Sequence, residues 1–434
     1  FAIFIAKTGT MDIRELETAL LDQKEELEAL RNKSFSYREE ERMINLESSL
    51  AQVVIGVRRS GKSTLCFNAL ERSKVSYAYV NFDDENLIDL SVKDMNNVLQ
   101  VLYSIYGDFT HLFFDEIQNI EGWHLFVNRM LRKGIHVLLT GSNSKLLSGE
   151  LASHLTGRHH TIELLPFSFK DWCSYNGIAM APLTTKNKGL LMGAFDKYLH
   201  QGGFPELLVE PDHTNYIESL FHDIITQDIR KRFKVKYIDS LERLARHLLN
   251  ISPAVIVKDK LQKQFGFKSH HTLGNYLSYL TQTYLLCKVS RYSSKSKERS
   301  VVEKVYAIDV AFMNKRENAF AGDNLGWRLE TVVYLELRRR IKTAEEDIYY
   351  FDNGNTEADF IVCSGSKVMG IYQVAYDIEN PRTRRREING AVAAAKHTKC
   401  SNVFILTDHH SETIVSNGIE IKAMPVWEWI VRRN

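Results

Sequence analysis

A glycine-rich stretch, GVRRSGKST (56–64), has the residue types and the spacing of a phosphate-binding loop. It matches the pattern G-x-x-x-x-G-K-[ST], whose glycines let the backbone curl until its N–H groups point at phosphate oxygens. An apolar run precedes the loop and a helix-compatible run follows, so the positive end of a helix would face the same phosphates. The residues expected to bind the nucleotide are Gly56, Arg58, Arg59, Ser60, Gly61, Lys62, Ser63 and Thr64.

Within this loop, Lys62 would bring a positive charge to the β- and γ-phosphates, and Ser63 would offer its hydroxyl to Mg²⁺. Arg58 and Arg59 either touch phosphate or face solvent, and the sequence leaves both alternatives open. The pattern therefore predicts a site for ATP and Mg²⁺.

Two adjacent acids end another apolar run, HLFFDEIQ (111–118). Asp115 is expected to hold the Mg²⁺ ion through water, and Glu116 to polarise the water that attacks the nucleotide. The alternative is a solvated strand end, because adjacent acids after an apolar run are common. Together with the upstream loop, the pair predicts Mg²⁺-dependent hydrolysis of ATP.

Further polar positions follow the strand in LLTGSNSK (138–145). Ser142 or Asn143 is expected to sense the γ-phosphate, and the alternative is a polar loop. Arg158 comes shortly afterwards and is expected to reach the nucleotide of a neighbouring subunit, which would make the protein a homo-oligomer. A surface ion pair is the alternative for Arg158.

Short apolar strands alternate with helical stretches over the first part of the chain, which predicts an α/β fold with a parallel sheet and helices on both faces. An amphipathic helix is predicted at 11–31 and a second, polar helix at 36–47. The predicted strands are 51–56, 76–82, 111–115, 135–141 and 160–165.

The middle of the chain is basic. Three helices, at about 240–250, 255–265 and 270–283, precede a strand and a polar loop, and this order predicts a winged helix that contacts DNA through the helix from Ser269. The alternative is a protein–protein module with a solvated lysine-rich face. The basic residues are Lys258, Lys260, Lys263, Lys268, Lys288, Arg291, Lys295, Lys297 and Arg299.

These stretches, with GGFPE (202–206), EKVYAIDVAF, NLGWRLETVVYLELRRR, ADFIV and PVWEWI, follow one another in an order that resembles a prokaryotic AAA-type P-loop ATPase family. Its members join the ATPase to a C-terminal domain of unknown function, and the resemblance covers essentially everything after about residue 35. The resemblance implies an AAA-like ATPase core, a winged helix and a restriction-endonuclease-like C-terminal fold.

The expected domains follow from this resemblance and from the pattern. They are an N-terminal extension with a helix (1–34), the P-loop AAA-like core (35–168), a helical lid (169–237), the winged helix (238–300) and a nuclease-like α/β domain (301–434). Met11 is the expected native start, with residues 1–10 coming from vector sequence or from a misplaced start.

The nuclease-like domain is expected to lack nuclease activity. Such folds use a helical Glu, then Asp, then E-x-K to hold metal and orient water. Glu330 and Asp359 fit the first two positions, but the third reads Gln373-Val374-Ala375, so a carboxylate has become an amide and the Lys is absent. We therefore expect Glu330, Asp359 and Gln373 to form a vestigial site.

Composition limits the remaining classes. Of 434 residues, 44% are hydrophobic and 25% charged, which excludes disordered and collagen-like chains. The net charge is only +2, so any nucleic-acid surface must be local. The five cysteines form no C-x-x-C pair, so we expect no disulfide framework, no zinc site and a cytoplasmic location. No apolar run approaches the roughly 18 residues that span a bilayer.

The function favoured on these grounds is ATP hydrolysis coupled to a conformational change, acting on DNA or regulated by it. Two alternatives remain open. One is a metal-dependent DNA nuclease with a regulatory ATPase, and the other is a nucleotide-gated scaffold with negligible turnover.

Overall fold

The computed structural model describes residues 11–33, 35–142, 155, 157–293, 302–313 and 324–432. The predictions for residues 1–10, for Asn143 and for the loop that carries Lys295, Lys297 and Arg299 lie outside these residues. Two compact units divide the chain, residues 1–164 and 165–434. Every described helix is too short or too polar to cross a membrane.

The first unit is built on a five-stranded parallel sheet with the strand order β2-β3-β4-β1-β5. All five predicted strands are present, each within two residues of its predicted bounds. Their side chains are largely buried, as expected for a parallel sheet covered on both faces. The strands are β1 (Ala51–Ile55), β2 (Tyr77–Asn81), β3 (His111–Asp115), β4 (His136–Gly141) and β5 (His159–Glu163).

Helices surround this sheet. The first of them, predicted at 11–31, buries Leu16, Leu20 and Leu27 along one face. Within the described part of this unit, the α-helices are α1 (Ile13–Arg31), α2 (Lys62–Ser73), α3 (Met95–Tyr106) and α4 (Trp123–Arg132), and the 3-10 helices are Glu39–Met43, Glu85–Leu87 and Ile117–Asn119.

The prediction of a polar helix at 36–47 is wrong. Only a 3-10 helix of five residues, Glu39–Met43, forms there, and both flanking residues are extended. The segment has almost no apolar residue before Met43, so it has no apolar face whose packing would stabilise a longer helix. Instead, the buried Arg38 side chain donates to the carbonyl of Ser60 (3.2 Å), which fixes the segment as an extended connection.

The strand order decides where the chemistry of this unit is located. β4 lies between β1 and β3, and its register pairs Val54 with Thr140 on one side and Phe114 with Leu139 on the other. Because the three strands are parallel, their carboxyl ends meet at one edge of the sheet. The phosphate loop after β1 and the acids at the end of β3 therefore lie beside the end of β4.

The second unit begins with helices that the sequence predicted between 170 and 283. Glu242 and Glu218 both bind Arg246, which ties two of these helices together. The helices are α5 (Phe169–Tyr175), α6 (Thr185–Gln201), α7 (His213–Asp223), α8 (Ile238–Ile251), α9 (Lys258–Phe265) and α10 (His270–Gln282), with a π-helix at Ile224–Arg230 and a 3-10 helix at Pro205–Leu208.

A nine-stranded mixed sheet forms the rest of this unit, in the order β13-β14-β12-β11-β10-β9-β7-β8-β6. The strands are β6 (Ala254–Val255), β7 (Leu286–Arg291), β8 (Glu303–Ala307), β9 (Glu346–Asp352), β10 (Glu357–Ser364), β11 (Lys367–Ala375), β12 (Val403–Thr407), β13 (Glu412–Ser416) and β14 (Ile419–Pro425). The helices are α11 (Leu325–Arg340), α12 (Pro381–Thr398) and α13 (Val426–Val431), with a 3-10 helix at Val310–Met313.

The domain boundary predicted at 300/301 falls between two paired strands. β7 and β8 are antiparallel neighbours, with Leu286 opposite Ala307, and β7 also pairs with β9 in parallel through Ser290 and Arg291. A strand pair with a free edge exposes unpaired backbone N–H and C=O groups, and β9 satisfies those of β7. The segments 238–300 and 301–434 thus share one continuous sheet.

The turn GGFPE (202–206) packs tightly against neighbouring backbone and side chains of the second unit. Gly203 donates its N–H to the buried carboxylate of Asp309 (2.9 Å), and a Cβ at this position would lie 2.2 Å from the carbonyl oxygen of Phe167. Gly202 has a φ of +90°, which disfavours any side chain. Burial raises the pKa of Asp309 to about 6, although backbone N–H donors and nearby arginines oppose the shift.

We expect Gly203→Ala to lower the free energy of unfolding by about 1–3 kcal/mol, because the new methyl group would collide with a backbone carbonyl. Gly189→Ala is the matched control, since Gly189 lies inside α6 with open space around its Cα. This control should be stabilising by about 0.5–1 kcal/mol. Urea unfolding followed by circular dichroism measures both, and equal midpoints would contradict the expectation.

Candidate functional site

The loop between β1 and α2 is shaped by glycines at both ends. At Gly56 an added Cβ would lie 2.1 Å from the carbonyl oxygen of Leu164, so only glycine fits. Gly61 has a φ of +92° and is the residue from which α2 begins. Arg59 also adopts a left-handed conformation, with φ +66°. The chain therefore curls tightly and directs α2 away from the carboxyl end of β1.

Lys62 is almost completely buried within this curl, and its charge is paired there. Its Nζ donates to the carbonyl of Val57 (3.2 Å) and lies 3.5 Å from Oε1 of Glu116. A buried ammonium group requires such partners because its desolvation is costly. The ion pair brings together the lysine of the loop and the acid that follows β3, two residues that the sequence analysis assigned to one nucleotide site.

The loop fits a phosphate group. Among the described residues, no side chain caps the start of α2, so the N–H groups of its first turn are directed at the loop. The hydroxyl of Ser60 is buried and has no hydrogen-bond partner within the same residues. Donors of this kind, at the positive end of a helix of 12 residues, suit the oxygens of a phosphate.

Ser63 and Asp115 lie together, as a shared metal ion would require. The Asp115 carboxylate accepts hydrogen bonds from the hydroxyls of Ser63 and Thr140. Burial and the charge of Glu116 raise its pKa, while these hydrogen bonds and Lys62 oppose the shift. Hydroxyl and carboxylate oxygens are the ligands that Mg²⁺ prefers, so the pair fits this ion.

Glu116 is held in one orientation by its neighbours. Its backbone is left-handed (φ +50°), and its N–H donates to Oγ1 of Thr140 (2.9 Å). Its carboxylate accepts from the side chain of Gln118 and from the backbone N–H of Ser142 (3.2 Å). A non-glycine residue in a strained conformation beside a buried lysine is typical of a functional position.

Two residues of this site were missed by the sequence analysis. Thr140 contacts both acids through one hydroxyl, and it is fully buried on β4. A hydroxyl in the apolar run LLTG was the available signal. Arg38 supports the loop from outside through its bond to the Ser60 carbonyl, and nothing in the sequence pattern around it indicates this role.

The other predicted positions differ in outcome. Arg58 forms an ion pair with Asp83 (3.2 Å), whereas Arg59 is exposed. Ser142 is buried, and its backbone N–H donates to the carboxylate of Glu116. Thr64 lies in the first turn of α2.

Arg158 does not join the site of its own chain. Its carbonyl accepts from the N–H of Ala51 (3.0 Å), so it lies at the amino end of β1, immediately before β5. The phosphate loop follows the carboxyl end of β1, roughly 15 Å away for a strand of this length. Arg158 therefore lies far from the phosphate loop of its own chain, and its expected contact with the nucleotide of a neighbouring subunit stays a prediction.

A second charged cluster lies in the nine-stranded sheet. The ammonium group of Lys304 on β8 is 2.8 Å from Glu330, 3.1 Å from Glu357 and 3.6 Å from Asp359. The hydroxyl of Tyr306 donates to Glu330 (2.7 Å). The sequence analysis expected two acids and no lysine here, and the structure corrects this, because β8 supplies a lysine from outside the E-x-K position.

Gln373 has a structural role in the same cluster. Its side-chain carbonyl accepts from the N–H of Asp359 (3.2 Å), and its amide donates to Glu387 (2.5 Å). The N–H of Val374 donates to the carboxylate of Asp359 (2.8 Å). Both oxygens of Asp359 are thus engaged, one by the backbone and the other by Lys304.

Except for the exposed Glu357, the cluster is largely buried, and its charges shift the pKa values of one another. Burial raises the pKa of Asp359 well above its usual range, and the nearby charge of Glu330 adds to this shift. Burial alone would lower the pKa of Lys304, but the carboxylates around it reverse the effect and raise the pKa well above its usual range. Lys304 is therefore firmly protonated and acts as the cation of the cluster.

Comparison with known families supports the first site. Residues 48–173 match the family model described as an AAA domain, and residues 192–322 match a domain of unknown function (DUF8612). The second match crosses both expected boundaries, at 237/238 and at 300/301. The AAA-type resemblance is confirmed, and the first unit contains a P-loop ATPase domain.

Solved structures give only a weak comparison. The Holliday junction branch migration motor RuvB of Thermotoga maritima is 16% identical, with a TM-score of 0.29 over 65% of this chain and 90% of that chain. A point mutant of the same motor gives a TM-score of 0.30 at 15% identity, over 63% of this chain and 90% of that chain. Scores this low support no conclusion about function.

Two relatives match over most of their length. The uncharacterized protein MJ1544 of Methanocaldococcus jannaschii is 32% identical over 405 residues, 89% of each chain. An uncharacterized protein of Haemophilus influenzae is 27% identical over 401 residues, 89% of this chain and 95% of the relative. The chain therefore belongs to the same family as MJ1544, with an AAA domain in its N-terminal part.

Proposed function

We propose that the first unit binds ATP with Mg²⁺ and hydrolyses it. The observation that carries this proposal is the convergence of Lys62, Ser63, Asp115 and Glu116 at one edge of the parallel sheet, with Thr140 between the strands. When bound, Mg²⁺ would withdraw negative charge from the phosphate oxygens.

Each residue has a distinct task in this proposal. Lys62 binds the β- and γ-phosphates, Ser63 and Asp115 bind the metal, and Glu116 orients and deprotonates the attacking water. In the structure Lys62 forms an ion pair with Glu116. When Lys62 turns toward the phosphates of a bound nucleotide, this pair breaks and the Glu116 carboxylate becomes available to the attacking water. Thr140 keeps both acids in place through its hydroxyl.

We further propose that hydrolysis is coupled to a conformational change in a homo-oligomer. Ser142 or Asn143 would sense the γ-phosphate, because the backbone of Ser142 already contacts Glu116. Arg158 would serve the site of a neighbouring subunit, since it is exposed and lies far from its own loop. Free, buried cysteines support a cytoplasmic location.

DNA is the proposed partner of the segment 238–300. Its helices and strands follow the order α8, β6, α9, α10, β7, which supports a winged helix. The helix α10 begins at Ser269, whose hydroxyl accepts from Thr272 and so caps it, and His270 and His271 in its first turn are exposed. A protein partner for this surface is the alternative.

For the C-terminal cluster we propose a vestigial nuclease site in which Lys304 replaces the metal. A metal-bound site would hold the cation between Glu330 and Asp359, and here the ammonium group of Lys304 contacts both. Gln373 supports the cluster through hydrogen bonds to its neighbours. The same lysine would orient water in an active nuclease, and this is the alternative function that the structure favours most.

We expect Lys62→Ala to weaken ATP binding at least about tenfold, because a charge-assisted contact to phosphate is lost. Lys93→Ala is the matched control, since Lys93 is exposed in the same unit. Calorimetric titration with a non-hydrolysable ATP analogue measures both variants, and circular dichroism checks that they fold. Unchanged affinity in Lys62→Ala would show that the loop does not bind the nucleotide.

Glu116→Gln should retain ATP binding but lower turnover by a factor on the order of 10²–10⁴, because the amide cannot accept the proton of the water. Glu121→Gln, an exposed change on the same segment, should leave turnover unaltered. Phosphate release measures this, with no DNA, with duplex DNA and with single-stranded DNA. If the rate of ATP hydrolysis is the same with and without DNA, the proposal that DNA is a partner is contradicted. If Glu116→Gln hydrolyses ATP as fast as wild type, Glu116 is not the general base.

Lys304→Met should destabilise the protein by about 3–5 kcal/mol, because it leaves buried carboxylates without their cation. If the lysine replaces a metal, Mg²⁺ or Mn²⁺ should then raise the melting temperature of the variant, without nucleotide, and leave wild type unchanged. Adding Glu330→Gln to the variant should remove this metal response. Wild-type cleavage of plasmid DNA that Asp359→Ala abolishes would instead establish the nuclease function.

A further inference from the structure

A group of side chains of the types that bind metal ions lies at the carboxyl ends of two strands of the nine-stranded sheet. β11 and β12 are parallel neighbours, and Ala375 at the end of one pairs with Thr407 at the end of the other. The loops that follow these strands therefore meet, as loops at the carboxyl ends of parallel strands do. Glu379 comes from the first loop, and His409 and His410 come from the second.

These three side chains are close enough to share one ion. Each offers one ligand atom, and the three atoms all lie within 4.8 Å of one another. Oε1 of Glu379 and Nδ1 of His410 are 3.8 Å apart, against roughly 3.3 Å for two ligands on one tetrahedral zinc ion. Small side-chain rotations would close this gap, because all three groups are partly exposed.

We propose that Glu379, His409 and His410 form a binding site for a divalent transition-metal ion of the zinc type. Two imidazoles with one carboxylate suit Zn²⁺ and similar ions, whereas Mg²⁺ and Ca²⁺ prefer oxygen ligands alone. Three protein ligands leave at least one coordination position for water or another small ligand. The site is separate from the phosphate loop and uses no residue of the Lys304 cluster.

The neighbouring carboxylates orient both imidazoles for this role. Nδ1 of His409 lies 3.3 Å from Asp408, which leaves Nε2 for the metal. Nε2 of His410 lies 3.4 Å from Glu412, which leaves Nδ1 on the side of Glu379. A metal-binding histidine usually donates its other ring N–H to a carboxylate in this way, which fixes the tautomer.

Glu412 is itself held in place. Arg384 on α12 binds both of its carboxylate oxygens, at 2.5 and 2.8 Å. This bidentate hydrogen bonding fixes the carboxylate of Glu412 beside the imidazole of His410. The backbone of the histidine loop is fixed independently of the side chains, because the hydroxyl of Thr407 donates to the carbonyl of His410 (2.7 Å).

A second pair of adjacent histidines provides a control within the same chain. His270 and His271 on α10 are exposed, and Nε2 of His270 lies 3.2 Å from Asp259. Within the described residues, they belong to no group of three ligands with the required spacing. The comparison therefore separates a site of three converging ligands from simple ion pairs of histidine with acid.

The test is a calorimetric titration of the full chain with Zn²⁺, with Mg²⁺ in excess and no nucleotide. We expect one high-affinity Zn²⁺ ion per chain, and at least about tenfold weaker binding in His409→Ala and in His410→Ala. Glu412→Gln should weaken binding by about 10–100-fold, because it removes the carboxylate that orients His410. The double variant His270→Ala/His271→Ala should bind as wild type does.

Cobalt provides an independent spectroscopic measurement. Co²⁺ bound at four or five coordination positions should give visible absorption bands in wild type and in the His270→Ala/His271→Ala control, but not in His409→Ala/His410→Ala. The five cysteines are buried, so they should not compete for the ion. The proposal is overturned if wild type binds no Zn²⁺, or if the His409→Ala/His410→Ala variant binds it equally well.

Discussion

The hydroxyl of Thr140 is the contact on which the ATPase site depends. It donates to Asp115 and accepts a hydrogen bond from the backbone N–H of Glu116, so a single side chain of β4 fixes both acids at the end of β3. This is possible only because β4 lies between β3 and β1, with its end level with theirs. The phosphate loop after β1 then lies within reach, and Lys62 pairs with Glu116 across the end of β4.

In the C-terminal cluster, as in the nucleotide site, a buried lysine is paired with carboxylates. A buried charge must be paired, and the carboxylates of Glu330 on α11 and Asp359 on β10 require a cation. Lys304 on β8 supplies that cation permanently, whereas a metal ion would be exchangeable. The group of Glu379, His409 and His410 shares no residue with this cluster and is at least partly exposed to solvent.

The continuous sheet of the second unit changes how its segments should be understood. A winged helix followed by a separate nuclease-like domain would have two independent cores. In the structure β7 pairs with β8 on one side and with β9 on the other, so the strand predicted after the three helices is part of the larger sheet. Lys304 belongs to β8, and its contact with Glu330 depends on this continuity.

Local patterns in the sequence determined the phosphate loop, the acids at the end of β3 and all five strands of the first sheet, because each depends on residues adjacent in the chain. The prediction of a polar helix at 36–47 was wrong, because the segment has no apolar face whose packing would stabilise a helix. Only the tertiary structure decided the contacts between distant residues, such as Thr140 with Glu116 and Lys304 with Glu357. No short-range pattern in the sequence predicts such a pair, because the two residues come into contact only after the strands have paired. Strand direction likewise decided that Arg158 lies at the end of the sheet opposite to its own phosphate loop, which no local pattern indicates.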